Sequence, residues 1–558
     1  MKRLKIAVVL FCFLLICFLL LPGCGRESPQ GGATGTAAAA GKGPQEADEL
    51  TIGIYDDAGS VSTWGGGAYS PWVLDAVCEK LAGPNPYGAA PKLILAEYIR
   101  PVSDDFKVWE IKLKPGIEWH DGTPLTSEDI KFTIDYNREG PSNNRYSHHT
   151  SSFPRLPGDG ITIIDELTIR ITGAYPMPFF DREPCAELPV VQKAQWENLK
   201  DPRQFTGKSI GTGPYKLVDY KVGEYYKLEA NEDYHLGAPL VKKLNLVVIR
   251  DFSTMFTALR SGEIDGAARN LPPEMVEEWS KIPNITIIKT PYLWGAAVTL
   301  DTTKKPFGEP VFREAVKYVF NREELLNIVA LGHGSTGEVG YPHPRSFHTN
   351  PNNSVPYDPE KAAQLFTEMG YVDLDGDNFR ETPEGQRIDW RILVDASAPL
   401  YVRAAEIITE HFAAVGLRTH VEALETAAYN EVVSVQGNYN MTVGEFVPHG
   451  LADDDMMLVL QAGERNTDIV PYPERDQAMI DWAAAVTGEE RLAASHRLQE
   501  LINKAPKRIM LWYPDGYFAY NNTRYDNYSI IMGENDIFHK YSFIPNEARK
   551  GFVLENFQ

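Results

Sequence analysis

The amino-acid sequence predicts a mixed α/β protein that is divided into two or three lobes. Residues 106–113 and 167–171 alternate apolar and polar side chains with the two-residue period of half-buried strands. Residues 127–137 and 192–199 instead have the spacing of amphipathic helices. A chain of 558 residues, of which 43% are hydrophobic, exceeds the size at which one hydrophobic core keeps growing. Strands and helices are therefore expected to mix within more than one core.

The first 24 residues predict export and membrane attachment. A basic start at residues 1–5 is followed by an apolar run at residues 6–21 and then by Cys24. This order resembles a lipoprotein signal peptide of residues 1–23, whose removal exposes Cys24 for acylation. We therefore expect an extracytoplasmic protein that is lipid-anchored to the cell membrane. The alternative is a single uncleaved anchor helix, which also leaves the remaining chain outside the membrane.

The predicted elements begin after a low-complexity tether of residues 24–47, which is too rich in small and polar residues to form a core. Residues 50–55 alternate as a first strand, and residues 71–81 have helical spacing. Asn321 and Asp358 are predicted to cap the starts of two later helices. The further predicted helices cover residues 252–261, 310–320, 322–330, 359–369, 401–415, 427–435, 472–487 and 489–505.

The charge balance and the cysteine content exclude some partners and permit one cross-link. A formal net charge of −22 repels phosphate backbones and anionic lipid surfaces, so nucleic acid is not expected as a partner. Once the leader is removed and Cys24 is acylated, only Cys78 and Cys185 could form a disulfide. Export permits this disulfide, and nothing in the sequence requires it.

Four motifs have the residue types of structural elements and not of a reactive centre. They are residues 119–126 (WHDGTPLT), 211–217 (GTGPYKL), 231–234 (NEDY) and 258–265 (ALRSGEID). The glycines of GTGPYKL predict a tight turn that needs their conformational freedom. His120 lies in a turn that leads into a helix, so a structural role is predicted for it and not a ligand-binding one.

In their order and spacing these motifs resemble the family 5 extracellular solute-binding proteins, the oligopeptide-, dipeptide- and nickel-binding receptors of ABC importers. The resemblance covers nearly the whole chain after the leader. It implies an α/β, periplasmic-binding-protein-like fold of type II, with two lobes joined by a hinge and an extra inserted domain. It also implies that a monomer captures a ligand between the lobes and delivers it to an ABC permease, with no cofactor and no catalysis.

The resemblance further implies how the chain is divided. Lobe I is built from three separate segments, domain II is inserted after the first of them, and lobe III is continuous. The implied segments are residues 48–91 (lobe I, part a), 92–208 (domain II), 209–298 (lobe I, part b), 299–515 (lobe III) and 516–558 (lobe I, part c).

The resemblance places the ligand between the lobes, next to residues 62–64, the region around Trp294, and residues 443–455. The implied ligand-binding residues are Trp64, Trp294, Glu445, Phe446, His449 and Asp453. In peptide-binding members of the family, an acidic residue in the segment that corresponds to residues 443–455 binds the amino terminus of the peptide. Here His449 stands near that acidic position, so Glu445 or Asp453 would supply the negative charge. An oligopeptide is the expected ligand, and a non-peptide solute, either an oligosaccharide or a metal chelate, is the alternative.

Two other kinds of site are compatible with the sequence. Asp373, Asp375, Asp377 and Glu384 occupy acidic positions of a calcium-binding loop, although Asn378 replaces its usual glycine. A charged hairpin turn explains the same residues and is the interpretation we favour. An extracellular glycoside hydrolase would need only two suitably spaced carboxylates, but every motif above belongs to a binding scaffold.

Overall fold

The computed structural model describes most of the chain after the predicted tether, in residues 43–55, 61–62, 71–83, 91–139, 160–173, 177, 180–181, 185–199, 201, 205–291, 294–446, 470–485, 488–531 and 536–554. The strands are β1 (Leu50–Ile54), β2 (Ala82–Gly83), β3 (Lys92–Leu93), β4 (Ala96–Pro101), β5 (Val108–Leu113), β6 (Ile161–Ile163), β7 (Thr168–Thr172), β8 (Tyr215–Lys221), β9 (Tyr225–Ala230), β10 (Lys243–Val248), β11 (Gly266–Ala268), β12 (Ile285–Pro291), β13 (Gly295–Leu300), β14 (Gly334–Thr336), β15 (Trp390–Asp395), β16 (Thr419–Leu424), β17 (Met441–Phe446) and β18 (Arg508–Asn521). The α-helices are α1 (Pro71–Val77), α2 (Ser127–Glu139), α3 (Lys193–Trp196), α4 (Phe252–Ser261), α5 (Pro273–Trp279), α6 (Pro310–Val316), α7 (Arg322–Val329), α8 (Pro359–Glu368), α9 (Pro399–Ala414), α10 (Thr426–Asn430), α11 (Pro473–Ala484), α12 (Gly488–Lys504) and α13 (Asn546–Arg549).

One long sheet connects the two lobes. Its strand order is β16-β15-β17-β13-β18-β11-β1-β10-β9-β8, and β12 and β14 also pair with β18. The first half of β18 pairs with β13 and β14, whereas its second half, from Asp515 onward, pairs with β12. The chain therefore crosses between the lobes once between β12 and β13 and once within β18. These two crossings are the hinge of the fold.

Lobe III has hydrophobic cores on both faces of its part of the sheet. In β13, Ala296, Val298 and Leu300 belong to the core that includes residues of helices α6 to α9. Ala297 points to the other face and packs with residues of α11 and α12. Because β15 runs parallel to β16 and β17, helical connections cover the faces of these strands, as is usual for parallel pairing.

Lobe I is built around β1, which runs parallel to both β10 and β11. Strands β8, β9 and β10 continue the sheet as an antiparallel meander. The Asp265 carboxylate accepts a hydrogen bond from the Thr51 amide at 2.8 Å and so fixes the start of β1. Helices α4 and α5 pack through Phe256 and Trp279, whose ring centroids lie 5.3 Å apart. The ALRSGEID motif thus fixes the start of β1 through Asp265 and contributes Ala258, Leu259 and Ile264 to the core around α4.

Domain II contains the antiparallel sheet β4-β5-β7-β6, and its core includes residues of α2. This core also contains Tyr541 and Phe552 from the C-terminal part of the chain. Three separate segments of the chain meet at a buried ion pair. Lys540 Nζ lies 2.6 Å from the Glu79 carboxylate, and the Tyr234 hydroxyl donates a hydrogen bond to the same carboxylate at 2.5 Å. All three side chains are buried, so loss of either Lys540 or Glu79 would leave an uncompensated charge in the interior.

The structure confirms the type of most predicted elements in the described residues and corrects several bounds. The helix at residues 252–261 is confirmed without change. Asn321 and Asp358 cap their helices, because each side chain accepts a hydrogen bond from the backbone N–H three residues later. The helix predicted over 310–320 ends earlier, at Val316, because the amides of Tyr318 and Val319 bond to carbonyls three residues back and tighten the turn.

Three further bounds were wrong for local reasons. The strand predicted from residue 106 begins at Val108, because Phe106 has a φ of 56° and lies in a turn. The helix predicted over 192–199 has only four residues. The helix predicted over 427–435 is a short α-helix followed by a π-helix, Glu431–Gln436, in a segment whose three valines have low helix propensity.

The glycines of the GTGPYKL motif serve close packing and not the conformational freedom that the sequence suggested. Neither Gly211 nor Gly213 has a positive φ. A Cβ at Gly211 would lie 1.8 Å from the Val77 carbonyl oxygen, and the Gly213 amide donates to that same oxygen at 2.9 Å. The motif therefore approaches the end of α1 closely enough to satisfy a helix-terminal carbonyl.

His120 has the structural role that the sequence predicted. Its Nδ1 accepts a hydrogen bond from the Gly211 amide at 3.2 Å, and its Nε2 lies 3.0 Å from the Gly213 carbonyl oxygen. This pair of contacts requires a neutral ring that is protonated on Nε2. Burial lowers the pKa of His120 to about 4, which keeps the ring neutral. Two motifs that lie far apart in sequence thus meet through one side chain.

The disulfide that export would permit is not formed. Cys78 and Cys185 are both buried and both free of disulfide bonding. Burial raises the pKa of the Cys185 thiol, which disfavours the reactive thiolate. Both cysteines pack as small apolar side chains in their cores.

Candidate ligand-binding site

The candidate site lies where β17 ends beside the hinge. Strand β17 runs antiparallel to β13, so Phe446 lies opposite Gly295 and Glu445 lies opposite Ala296. Gly295 is the first residue of β13 after the chain has crossed from lobe I. The register therefore brings the predicted site residues of β17 next to the connection between the lobes.

Glu445 has an uncompensated carboxylate. Its side chain is exposed, and within the described part of the chain no cation or hydrogen-bond donor stabilises its charge. Desolvation by the surrounding protein nevertheless raises the pKa of Glu445 to about 7. Exposure combined with desolvation is the environment of a group on the wall of a cleft, which water reaches from one side only. Such a carboxylate is available to a positively charged ligand group.

Aromatic side chains from lobe III lie near Glu445. Tyr401 of α9 stacks on Trp512 of β18, with ring centroids 6.4 Å apart. Burial and the nearby Glu445 carboxylate raise the pKa of Tyr401. The sequence did not single out either aromatic residue, because Tyr401 lies within an ordinary helical pattern and Trp512 within an apolar run.

The two remaining described site residues differ in exposure. Phe446 is only 6% exposed and packs edge-on against Tyr341, with ring centroids 5.3 Å apart. The guanidinium of Arg508 lies 4.2 Å from the centroid of the Phe446 ring. Trp294 is half-buried and directly precedes Gly295 at the hinge. Phe446 thus packs into the core on the sheet face opposite to the side chain of Glu445, whereas Trp294 is partly accessible to solvent.

Several sequence-predicted residues cannot be placed. Trp64, His449 and Asp453 lie outside the described residues, and so does the predicted lipidation site Cys24. The described part of the site consists of Trp294, Glu445 and Phe446.

The acidic loop has the contacts of a charged hairpin turn. Oxygens of Asp373, Asp375 and Asp377 lie within 4.8 Å of one another, and Glu384 is not part of this group. The three carboxylates accept hydrogen bonds from backbone amides of the loop. Asp377 also forms ion pairs with Arg387 at 2.8 Å and with Arg418 at 2.6 Å. These partners account for the acidic residues without an ion, and calcium binding stays a prediction.

Asn378, which departs from the calcium-loop pattern, has a backbone conformation that glycine usually adopts. Its φ is 71°, in the left-handed region that asparagine tolerates better than most residues. Residues 372 and 381 pair on either side of the loop. The substitution therefore preserves the turn.

The sequence profile of bacterial extracellular solute-binding proteins, family 5 (middle region), matches residues 90–468, which is more than half of the chain. The chain belongs to this family. The family resemblance and the type II periplasmic-binding-protein fold are thereby confirmed, and the solute-binding protein acts outside the cytoplasm. Its relatives are substrate-binding proteins of ABC transporters and not enzymes, so the hydrolase alternative has no support.

Individual relatives have different ligands. The solute-binding protein is 24% identical to the oligopeptide-binding protein AppA of Bacillus subtilis over 77% of this chain and 78% of AppA. The structure of AppA with a nonapeptide superposes with a TM-score of 0.69 at 19% identity, covering 90% of this chain and 99% of AppA. NikZ of Campylobacter jejuni with Ni(L-His) gives 0.70 at 20% identity over 89% and 99%. A Thermotoga maritima oligopeptide-binding protein with bound mannohexaose gives 0.67 at 19% identity over 91% and 98%.

None of the described helices has the length and apolar character needed to cross a bilayer.

Proposed function

We propose that the protein is a lipid-anchored receptor that captures an oligopeptide-like ligand between lobe I and lobe III and delivers it to an ABC permease. The observation that carries the proposal is the uncompensated carboxylate of Glu445 beside the hinge. An amino terminus would supply the missing positive charge, and the pair would strengthen in a cleft that is partly closed to water. Glu445 thus binds the amino terminus of the ligand, which in peptide-binding members of the family is the role of an acidic residue near the position of His449.

The other site residues complete this proposal. Trp294 offers a half-buried ring beside the hinge for an apolar ligand group. Trp64, His449, Asp453 and Phe446 are assigned to the same ligand by the family resemblance alone. The implied division into lobe I, domain II and lobe III is part of the proposal and is supported by their largely separate hydrophobic cores.

A non-peptide ligand is the second candidate. His449 stands where peptide-binding relatives have an acidic residue, and structures of similar fold have been solved with Ni(L-His) and with mannohexaose. A metal chelate with an amine would still be attracted to Glu445, whereas a neutral sugar would not need this carboxylate.

The ligand itself gives the direct test. Mild denaturation of the purified protein should release a peptide with a free amino terminus, which mass spectrometry identifies. Release of a sugar or a metal chelate would contradict the peptide assignment and favour the second candidate. Chemical turnover of the released molecule by the native protein would contradict the receptor function as a whole.

Membrane attachment is tested separately. Cys24→Ser should move the protein from the membrane fraction into the soluble extracytoplasmic fraction, because acylation requires the thiol. Cys17→Ser, which changes a cysteine within the leader, is the matched control and should leave the protein in the membrane fraction. Membrane retention of the Cys24→Ser protein would show that the leader anchors the chain uncleaved.

A further inference from the structure

One side-chain hydrogen bond connects lobe III with lobe I beside the crossing in β18. His333, in the turn before β14, belongs to lobe III, and Tyr517, in the second half of β18, belongs to a core of lobe I. His333 Nδ1 lies 2.6 Å from the Tyr517 hydroxyl oxygen, and the two rings pack edge to face with centroids 5.4 Å apart. The contact therefore spans residues 514–516, where the chain passes from one lobe to the other.

Each of the two residues is held by its own lobe. The Tyr517 amide donates a hydrogen bond to Asn270 Oδ1 at 2.8 Å, and the Tyr517 carbonyl oxygen accepts one from the Leu271 amide at 2.7 Å. In lobe III, the His333 amide donates to the Ala330 carbonyl oxygen, at the end of α7, at 2.8 Å. Because each backbone moves with its lobe, a rotation of one lobe against the other changes the separation of the two side chains.

The turn that carries His333 is shaped for a close approach to β18. Leu331 and Gly332 have φ values of 53° and 77°, in the left-handed region that leucine rarely adopts. A Cβ at Gly334 would lie 2.2 Å from the Tyr513 carbonyl oxygen, so a glycine is needed where β14 meets β18. The turn thus places the His333 ring directly beside the crossing.

The Tyr517 hydroxyl is the donor in this contact. Burial and the neighbouring Asp515 carboxylate raise the pKa of Tyr517, so its hydroxyl stays protonated. This hydroxyl has one proton, and the nearest Asp515 oxygen lies 3.4 Å away, beyond the usual range of an O–H···O hydrogen bond. Asp515 is paired instead with Lys289 of β12, at 2.7 Å. The proton of Tyr517 is therefore directed at Nδ1 of His333.

We propose that the hydrogen bond between His333 and Tyr517 is a latch that holds the lobes in the arrangement seen here and has to break before they close over a ligand. In this arrangement the Glu445 side chain is exposed, as an open cleft requires. A contact that is made in only one of two states stabilises that state by its own free energy. The latch rests on the proposed function, because it assumes that the lobes close around a ligand beside Glu445.

Removal of the latch should strengthen ligand binding. Tyr517→Phe keeps the ring in the core and removes the hydroxyl, so the closed state becomes easier to reach and the apparent Kd should fall about 5-fold. Calorimetric titration with the molecule that is released from the purified protein and identified by mass spectrometry measures this change. An equal or higher Kd for Tyr517→Phe would overturn the latch, since loss of a merely structural hydrogen bond does not improve binding.

A control and a second variant assign the effect to this hydrogen bond. Tyr513→Phe removes a hydroxyl of the same strand that donates to the Gly340 carbonyl oxygen within lobe III, and it should leave the Kd unchanged. His333→Phe keeps a ring and removes the acceptor, so it should lower the Kd by the same factor as Tyr517→Phe. The double variant should bind no more tightly than either single one, because both changes remove one bond. Additive effects would overturn the assignment.

A measurement on ligand-free protein separates failure of the latch from failure of the proposed function. Single-molecule energy transfer between dyes attached at Glu277→Cys in α5 and Glu406→Cys in α9, both exposed positions, reports the arrangement of lobe I and lobe III. Tyr517→Phe should change the distribution of transfer efficiencies, whereas Tyr513→Phe should not. Identical distributions for the wild-type and Tyr517→Phe proteins would overturn the latch, whatever the ligand is. A changed distribution in a protein that releases no peptide would support the latch and contradict the peptide assignment alone.

Discussion

At the scale of single residues, desolvation of charged groups distinguishes the candidate site from the scaffold. His120 is half-buried and satisfied on both ring nitrogens, so its lowered pKa reports a structural role. Glu445 is also desolvated, but it has no partner of opposite charge in the described part of the chain. Uncompensated charge costs stability and is retained where a ligand supplies the compensation.

Glu445→Gln should weaken binding of an amine-bearing ligand by about 1–3 kcal/mol, because the amide cannot provide a negative charge. With the raised pKa of about 7, the wild-type carboxylate is protonated as the pH falls below 7, so wild-type affinity should fall toward pH 5. Binding by Glu445→Gln should lack this pH dependence. Calorimetric titration of the co-purified peptide at pH 5 to 8 measures both effects.

Glu406→Gln is the matched control, since Glu406 is an exposed residue of α9 with only a surface ion pair to Arg403. It should leave both the affinity and its pH dependence unchanged. If Glu445→Gln behaves in the same way as this control, Glu445 does not contact the ligand.

Glu445→Gln, which should weaken ligand binding, should stabilise the ligand-free protein at alkaline pH. A carboxyl group whose pKa is raised from 4.5 to about 7 binds its proton more tightly in the folded state. Folding stability therefore falls as the pH rises from about 4.5 to 7, where the ionised group is disfavoured. Glu445→Gln should raise the Tm at pH 8 and leave it unchanged at pH 4, as thermal unfolding by circular dichroism would show. An unchanged Tm at pH 8 would contradict the desolvation.

At the scale of elements, two features decide the architecture. Strand β18 pairs with lobe III in its first half and with lobe I in its second, so one continuous strand belongs to both. The GTGPYKL motif packs its backbone against the C-terminal end of α1 and places β8 beside it. Both features depend on partners that are distant in sequence.

Gly211→Ala should lower the free energy of unfolding by about 3 kcal/mol or more, because the added Cβ would overlap the Val77 carbonyl oxygen. Urea denaturation followed by circular dichroism measures the change. Gly488→Ala is the control: a Cβ there meets no described atom within 4 Å, so its effect should stay within about 1 kcal/mol. Similar stabilities for the two variants would show that the motif can move away from α1.

At the scale of the whole molecule, the two crossings between the lobes make closure the expected response to ligand. The binding free energy can shift the molecule toward a closed state only through contacts that both lobes make with the ligand. On the proposed function, Glu445 supplies such a contact from lobe III. Trp294 stands at the hinge between the lobes.

Ligand addition should therefore reduce the radius of gyration measured by small-angle X-ray scattering, with the co-purified ligand returned to ligand-free protein. Glu445→Gln protein should show the same reduction only at higher ligand concentration, since its affinity is lower. An unchanged radius at saturation would contradict closure and indicate that the lobes are rigidly joined.

The sequence by itself determined the class of fold, the family and most of the elements, because these depend on local periodicity and on motifs of fixed spacing. It correctly predicted the caps Asn321 and Asp358, whose hydrogen bonds reach only three residues along the chain. It predicted Glu445 as a ligand-binding residue through the family resemblance, but could not show whether this carboxylate was already paired.

Only the tertiary structure decided which charges lack a partner and which glycines pack closely. Arg508 begins a strand without any local signal, and its contacts come from β13 and β17, which are remote in sequence. Likewise, the role of Gly211 follows from the Val77 carbonyl, which another segment supplies. Desolvation and close packing depend on the atoms that surround a residue in space, and these atoms are set only when distant segments meet in the fold.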